Sequence, residues 1–157
     1  MIRIRAIHLA LLLMGVLAPL AAHAESDTPA KCTLVEVLAS YKKPKGGVDP
    51  KIPAAVRGSL PTDQGDTFEF LAQRAVAAAR GKPVSAKLAN GDALELTYKE
   101  RIAGDGKARL RMGGRLIDAS GRLAVESTIV IEDGAFIIYG GSIHKHGKLV
   151  VALSCTL

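Results

Sequence analysis

From residue 84 to the end of the chain, apolar and polar residues alternate between short turns that contain glycine. The turns are Asn90-Gly91, Gly113-Gly114 and Asp133-Gly134. Period-two alternation puts every second side chain on one face of a strand, and Asn-Gly is a strong two-residue hairpin signal. The pattern therefore predicts an all-β fold, an antiparallel β-sandwich or open barrel with at most one or two short helices.

The only two cysteines, Cys32 and Cys155, lie far apart in the sequence. Residues 32–39 have the length and the β-branched residues of a first strand. In the last strand the alternation places Cys155 on the same face as Leu149, Val151 and Leu153, so its thiol should point toward the core. We expect a Cys32–Cys155 disulfide between neighbouring first and last strands. Closing a loop of this length is worth about 4–5 kcal/mol in chain-entropy estimates.

The first 24 residues have the layout of a secretory signal peptide. Arg3 and Arg5 precede a nearly unbroken apolar run over residues 6–20, and Ala22 and Ala24 occupy positions −3 and −1 of a predicted cleavage site. We therefore expect a secreted or periplasmic protein with a signal peptide over residues 1–24, a flexible lead-in over 25–31 and one β-sandwich domain over 32–157. The apolar run is shorter than the roughly 20 residues that span a bilayer, so we expect no membrane span after its removal.

The charge balance is mildly basic and suggests few specific partners. The chain has 21 Lys and Arg against 15 Asp and Glu, and loss of Arg3 and Arg5 lowers the basic excess from six to four. Trp is absent and aromatic residues are scarce, so nucleic acid is not an expected partner. Arginines on consecutive predicted strands form a candidate patch for polyanions such as envelope polymers, or simply a solvated face. These are Arg109, Arg111, Arg115 and Arg122.

Residues 67–80 fit two structures. As a helix, Phe68, Leu71 and Val76 would share an apolar stripe, and Asp66 with Glu69 would form a capping box. As strands, the same residues also alternate. The local pattern favours the helix.

The sequence contains no motif that indicates a particular catalytic or metal-binding chemistry. His144 and His146 lie two residues apart and would point the same way on a strand, where they could share a metal ion. A catalytic zinc needs a third protein ligand, and Lys145 would put a cation between the two imidazoles. Ser142 precedes His144 without a nucleophile elbow around it. We therefore expect no cofactor and no catalytic residue, and a solvated turn at His144–His146.

Four segments carry a resemblance to a known group of proteins. They are residues 48–52, 68–71, 88–96 and 147–153. These turn and core patterns resemble small, uncharacterised secreted β-domain proteins of Gram-negative, myxobacteria-like bacteria, over most of residues 32–157. The resemblance implies strands at residues 67–80. It implies no activity, so no functional residue is carried over from it.

Together these features predict a secreted or periplasmic, non-catalytic binding module associated with the cell envelope. One alternative is a small metal-dependent or hydrolytic enzyme centred on His144 and His146. Another is a subunit of an envelope or secretion assembly that pairs through an exposed strand at residues 136–139.

Overall fold

The computed structural model describes residues 28–42, 44, 46–104 and 106–157. The predicted signal peptide, residues 1–24, lies outside these described residues. Nine strands and one short helix follow in chain order, and they confirm the all-β prediction: β1 Ala30–Ser40, β2 Gly47–Val48, α1 Ala54–Arg57, β3 Thr67–Ala78, β4 Pro83–Lys87, β5 Ala93–Ile102, β6 Arg109–Ile117, β7 Leu123–Glu132, β8 Phe136–His144 and β9 Gly147–Thr156. Across the described residues, no helix has the length and hydropathy to cross a membrane.

The strands form two sheets. The five-stranded sheet has the order β2-β3-β1-β9-β8, and the four-stranded sheet has the order β4-β5-β6-β7. All pairings are antiparallel except that of β2 with β3. Cys32 and Cys155 lie directly opposite each other on β1 and β9 and form a disulfide, as predicted. The two ends of the described chain are therefore joined at the centre of the larger sheet.

The two central strands of the five-stranded sheet are buried on both faces. Their inner face packs against the four-stranded sheet in one core, with Leu34, Leu153 and Met112 fully buried. Their outer face is covered by the segment that contains α1, which places Ile52 and Val56 against the sheet in a second core. Burial on both faces explains why residues 34–39 are almost continuously apolar rather than alternating.

Residues 67–80 form a strand, so the helix favoured by the local pattern is wrong and the strands implied by the resemblance are right. β3 pairs with β1 from Ala30 opposite Ala78 to Ser40 opposite Thr67. An extended backbone here lets β3 pair with the hydrogen-bonding groups along one edge of β1. The other edge of β1 pairs with β9. Tertiary pairing thus overrides a helical propensity that rests largely on alanine.

The Asp49 side chain holds the turn that precedes α1. Its carboxylate accepts hydrogen bonds from the backbone of Lys51 at 2.8 Å and Phe70 at 3.2 Å. These hydrogen bonds, of which the one from Lys51 is the largest cause, lower the pKa of Asp49. The turn ties the covering segment to β3, and α1 begins only at Ala54.

Candidate binding pocket at the β8–β9 hairpin

The two histidines lie at the tip of the β8–β9 hairpin but not on one strand. His144 ends β8 opposite Gly147, and Lys145 and His146 form the connecting turn, in which Lys145 has a left-handed φ of 50°. The turn therefore removes the strand geometry that would aim both imidazoles at one ion. Among the described residues, no group of three or more His, Cys, Asp or Glu side chains is placed to hold a metal. Ser142 accepts a hydrogen bond from the Asn90 side chain at 2.8 Å.

A pocket of about 460 Å³ lies beside this hairpin and is called the hairpin pocket below. Three segments enclose it: the end of β1, the loop before β3, and the hairpin tip. Its lining residues are Ala39, Ser40, Tyr41, Gln64, Ile143, Lys145, His146, Gly147 and Lys148. The volume falls in the range of about 300–1,000 Å³ that is typical of small-molecule sites.

Two glycines allow the three segments to approach closely. A Cβ on Gly147 would lie 2.2 Å from the carbonyl oxygen of Ala39, and a Cβ on Gly65 would lie 2.6 Å from the backbone nitrogen of Ser40. Real Cβ atoms do not approach other heavy atoms so closely, so any larger residue would push the hairpin or the loop away from β1. The shape of the pocket therefore depends on glycine at both positions.

Apolar and basic side chains dominate the pocket. Tyr41 is 68% exposed and Ile143 is 85% exposed, an unusual exposure for two large apolar side chains. Lys145, His146 and Lys148 supply the basic groups, and the described lining includes no Asp or Glu. The pocket thus offers an apolar wall beside a cluster of basic groups.

Two lining residues carry buried polar atoms that have no partner. Ser40 Oγ and Gln64 Oε1 are both inaccessible to solvent, and no described residue hydrogen-bonds to either. Buried polar atoms without a partner are rare, because each one costs roughly 1–3 kcal/mol. The Tyr41 hydroxyl, in contrast, donates a hydrogen bond to the carbonyl of Asp63 at 2.9 Å. Among the described residues, two of the three buried side-chain atoms without a partner thus belong to residues that line this pocket, and the third is Asp133 Oδ1.

Glu69, a carboxylate that interacts with His146 of the pocket lining, already has a basic partner of its own. Glu69 forms an ion pair with Lys42, and the hydrogen bond from Lys42 is the main cause that lowers the pKa of Glu69. The charge of His146 lowers the same pKa to a smaller degree. The lysines of the pocket lining therefore have no carboxylate partner among the described residues that line the pocket.

The four arginines of the candidate polyanion patch lie on β6 and in the turn after it, and three of them have carboxylate partners. Arg111 pairs with Glu100 at 2.6 Å, Arg115 with Glu95 at 2.8 Å, and Arg122 with Asp118 at 3.0 Å. Arg109 is exposed. The carboxylates of β5 and of the β6–β7 turn thus offset most of the positive charge on this face.

One fully buried carboxylate lies away from the pocket. Glu36 on β1 accepts a hydrogen bond from Arg74 of β3 and another from the backbone of Ala89, each at 2.6 Å. One oxygen therefore links β1 to β3 within the five-stranded sheet, and the other joins this sheet to the β4–β5 hairpin. No local pattern of residues indicates a role for this carboxylate, for Ser40 or for Gln64, because their surroundings come from segments distant in the chain.

Comparisons with known proteins found no matching family model, curated protein or solved structure. The chemistry of the pocket therefore has to be argued from its own residues.

Proposed function

We propose that this chain is a secreted or periplasmic, non-catalytic binding module and that its ligand site is the hairpin pocket. The ligand is a small organic anion with an apolar portion. The observation that carries the proposal is the lining itself, in which exposed Tyr41 and Ile143 stand beside three basic residues with no carboxylate among them. Export is supported by the predicted signal peptide and by the Cys32–Cys155 disulfide, a bond typical of oxidising compartments.

Each part of such a ligand has a counterpart in the pocket. Its apolar portion would cover Tyr41 and Ile143, whose burial is favourable by about 25 cal/mol per Å² of apolar surface. Its anionic group would lie near Lys145 and Lys148.

Octanoate is a suitable probe, with octylamine and octanol as matched cationic and neutral probes of the same chain length. We expect octanoate to bind most tightly in calorimetric titrations and to weaken as salt is added, because exposed charges are screened. Lys145→Gln and Lys148→Gln should each weaken octanoate binding by about twofold to fivefold, as partly exposed charge pairs do.

The matched control is Lys87→Gln, which removes an exposed lysine from β4, outside the pocket lining. It should leave octanoate affinity unchanged. Equal binding of all three probes, or equal losses from Lys87→Gln and Lys145→Gln, would contradict an anion site in the hairpin pocket.

A further inference from the structure

The two sheets have four edge strands, and three of them carry features that hinder pairing with another strand. β2 has only two residues, and β4 has five and starts at Pro83. β8 is interrupted by a register shift between Tyr139 and Gly141. Short strands, proline and bulges are the usual ways in which proteins protect a sheet edge.

β7 has none of these protections along most of its length. It has ten residues without proline or lysine, and its register with β6 is regular from Val125 to Glu132. Val125 and Val130, which lie on opposite faces of this edge, are 48% and 46% exposed. A long, regular and partly apolar edge strand of this kind favours addition of another strand.

The backbone groups that point away from β6 can be assigned. Asp133 donates a backbone hydrogen bond to the carbonyl of Ala108 at 2.8 Å, so these two residues form a hydrogen-bonded pair of the β6–β7 ladder. Bonded and outward-facing residues alternate along a strand, so Glu126, Thr128 and Val130 direct their N–H and C=O groups outward. β6 is the only strand of the described chain that pairs with β7, so the outer edge of β7 has no partner strand.

The charges of β7 are compatible with a second copy of the same strand. Glu126 lies 3.9 Å from Arg115, and Glu132 lies 3.2 Å from Lys107, so each carboxylate has a cation on its own chain. In a two-fold register centred on Thr128, Glu126 faces Val130 of the second copy and Val125 faces Ile131. No carboxylate then lies opposite another, and the overlap stays within the regular part of the strand.

From these features we propose that β7 is a homodimer interface. Two copies pair antiparallel through β7 about a two-fold axis at Thr128, which joins the two four-stranded sheets into one of eight strands. Three outward-facing residues of each copy form the new ladder. Val125 and Val130 of each copy become buried at the seam.

Sedimentation equilibrium of the oxidised protein, together with amide hydrogen exchange, tests this interface. We expect a concentration-dependent dimer in which the amides of Thr128 and Val130 are protected only when the dimer forms. The amides of Ser127 and Ile129 bond to β6 and should be protected in both states. Thr128→Lys should weaken the dimer about tenfold or more, because it places the two introduced ammonium groups directly opposite each other at the two-fold axis.

Ser85→Lys is the matched control, since it adds the same charge to an exposed position on β4, the opposite edge of the same sheet. It should leave the dimer intact. Thr128→Cys should form an intermolecular disulfide, because directly opposed residues in a hydrogen-bonded pair have Cα atoms about 5.5 Å apart, whereas Glu126→Cys should not. A monomer at all concentrations, or a dimer whose affinity Thr128→Lys leaves unchanged, would overturn the proposal. A crosslink through Glu126→Cys in place of Thr128→Cys would overturn the register.

Discussion

Glu36 shows how a single side chain connects parts of the fold that are distant in sequence. Its carboxylate is fully buried and joins β1 to β3 through Arg74 and to the β4–β5 hairpin through the backbone of Ala89. A buried charge is tolerated only where charged or hydrogen-bonding partners compensate for its loss of water. This residue therefore fixes how the four-stranded sheet sits on the five-stranded sheet.

Glu36→Gln should lower the free energy of unfolding by about 2 kcal/mol, because it removes a buried charge-assisted hydrogen bond to Arg74. Glu95→Gln is the matched control, since Glu95 pairs with Arg115 on an accessible face and should cost less than about 1 kcal/mol. Urea unfolding of both variants measures the difference. Equal losses would show that the Glu36 pair has no special structural role.

Gly147 is a second residue at which a small change should have a large effect. Gly147→Ala places a methyl group against the Ala39 carbonyl, and we expect a loss of about 2 kcal/mol or more together with a distorted hairpin pocket. Gly58→Ala is the control, because Gly58 has an ordinary φ of −70° and open space at its Cβ. That change should leave stability the same or raise it by about 0.5 kcal/mol. Thermal unfolding that ranks the two variants in the opposite order would contradict this account.

At the level of elements, the success of a prediction from sequence depended on whether residues nearby in the chain determine the conformation of that element. Two of the turns named after residue 84 were predictable from local signals, since Asn90-Gly91 lies between β4 and β5 and Asp133-Gly134 lies between β7 and β8. The turn predicted at Gly113-Gly114 is wrong, because both glycines lie within β6 and pair there with β5 and β7. The strand conformation of β3 could not be predicted from its local pattern, because its alanine-rich sequence takes this conformation from pairing with β1. The hairpin pocket could not be predicted from the sequence either, since only the folding of the chain brings Ser40 and Gln64 next to the β8–β9 hairpin.

The β6–β7 turn should respond to acid. Asp118 accepts a hydrogen bond from the hydroxyl of Ser120 and others from backbone groups, which lower its pKa to about 2. Because the folded pKa lies below that of the unfolded chain, the turn is fully stabilised above about pH 4 and loses this contribution as pH falls through about 2. The protection factors of the Ser120 and Arg122 amides, which correct for the intrinsic pH dependence of exchange, should fall over that interval, and Asp118→Asn should abolish the response. Unchanged protection factors in the native protein would refute the assigned hydrogen bonds.

At the scale of the whole molecule, the disulfide joins two strands that already pair with each other, although its two cysteines are 123 residues apart in sequence. Its main effect is thus on the unfolded chain, whose two ends it holds together. Both sheets and both cores lie inside the loop that it closes.

Cys32→Ala combined with Cys155→Ala should lower the free energy of unfolding by about 4–5 kcal/mol, a large part of the net stability of a domain this size. Guanidinium unfolding measures the loss, and reduction of the native protein should reproduce it. A loss below about 1 kcal/mol in both experiments would mean that the sheets need no covalent closure.

The most direct test of the central claim, that the hairpin pocket is the ligand site, is an NMR measurement of intermolecular NOEs from bound octanoate. The account predicts NOEs from its methylene protons to the methyl groups of Ile143 and the ring of Tyr41, and shifted amide signals at Gln64 and Lys148. NOEs confined to other exposed apolar residues, such as Leu123 and Val125 on β7, would contradict it.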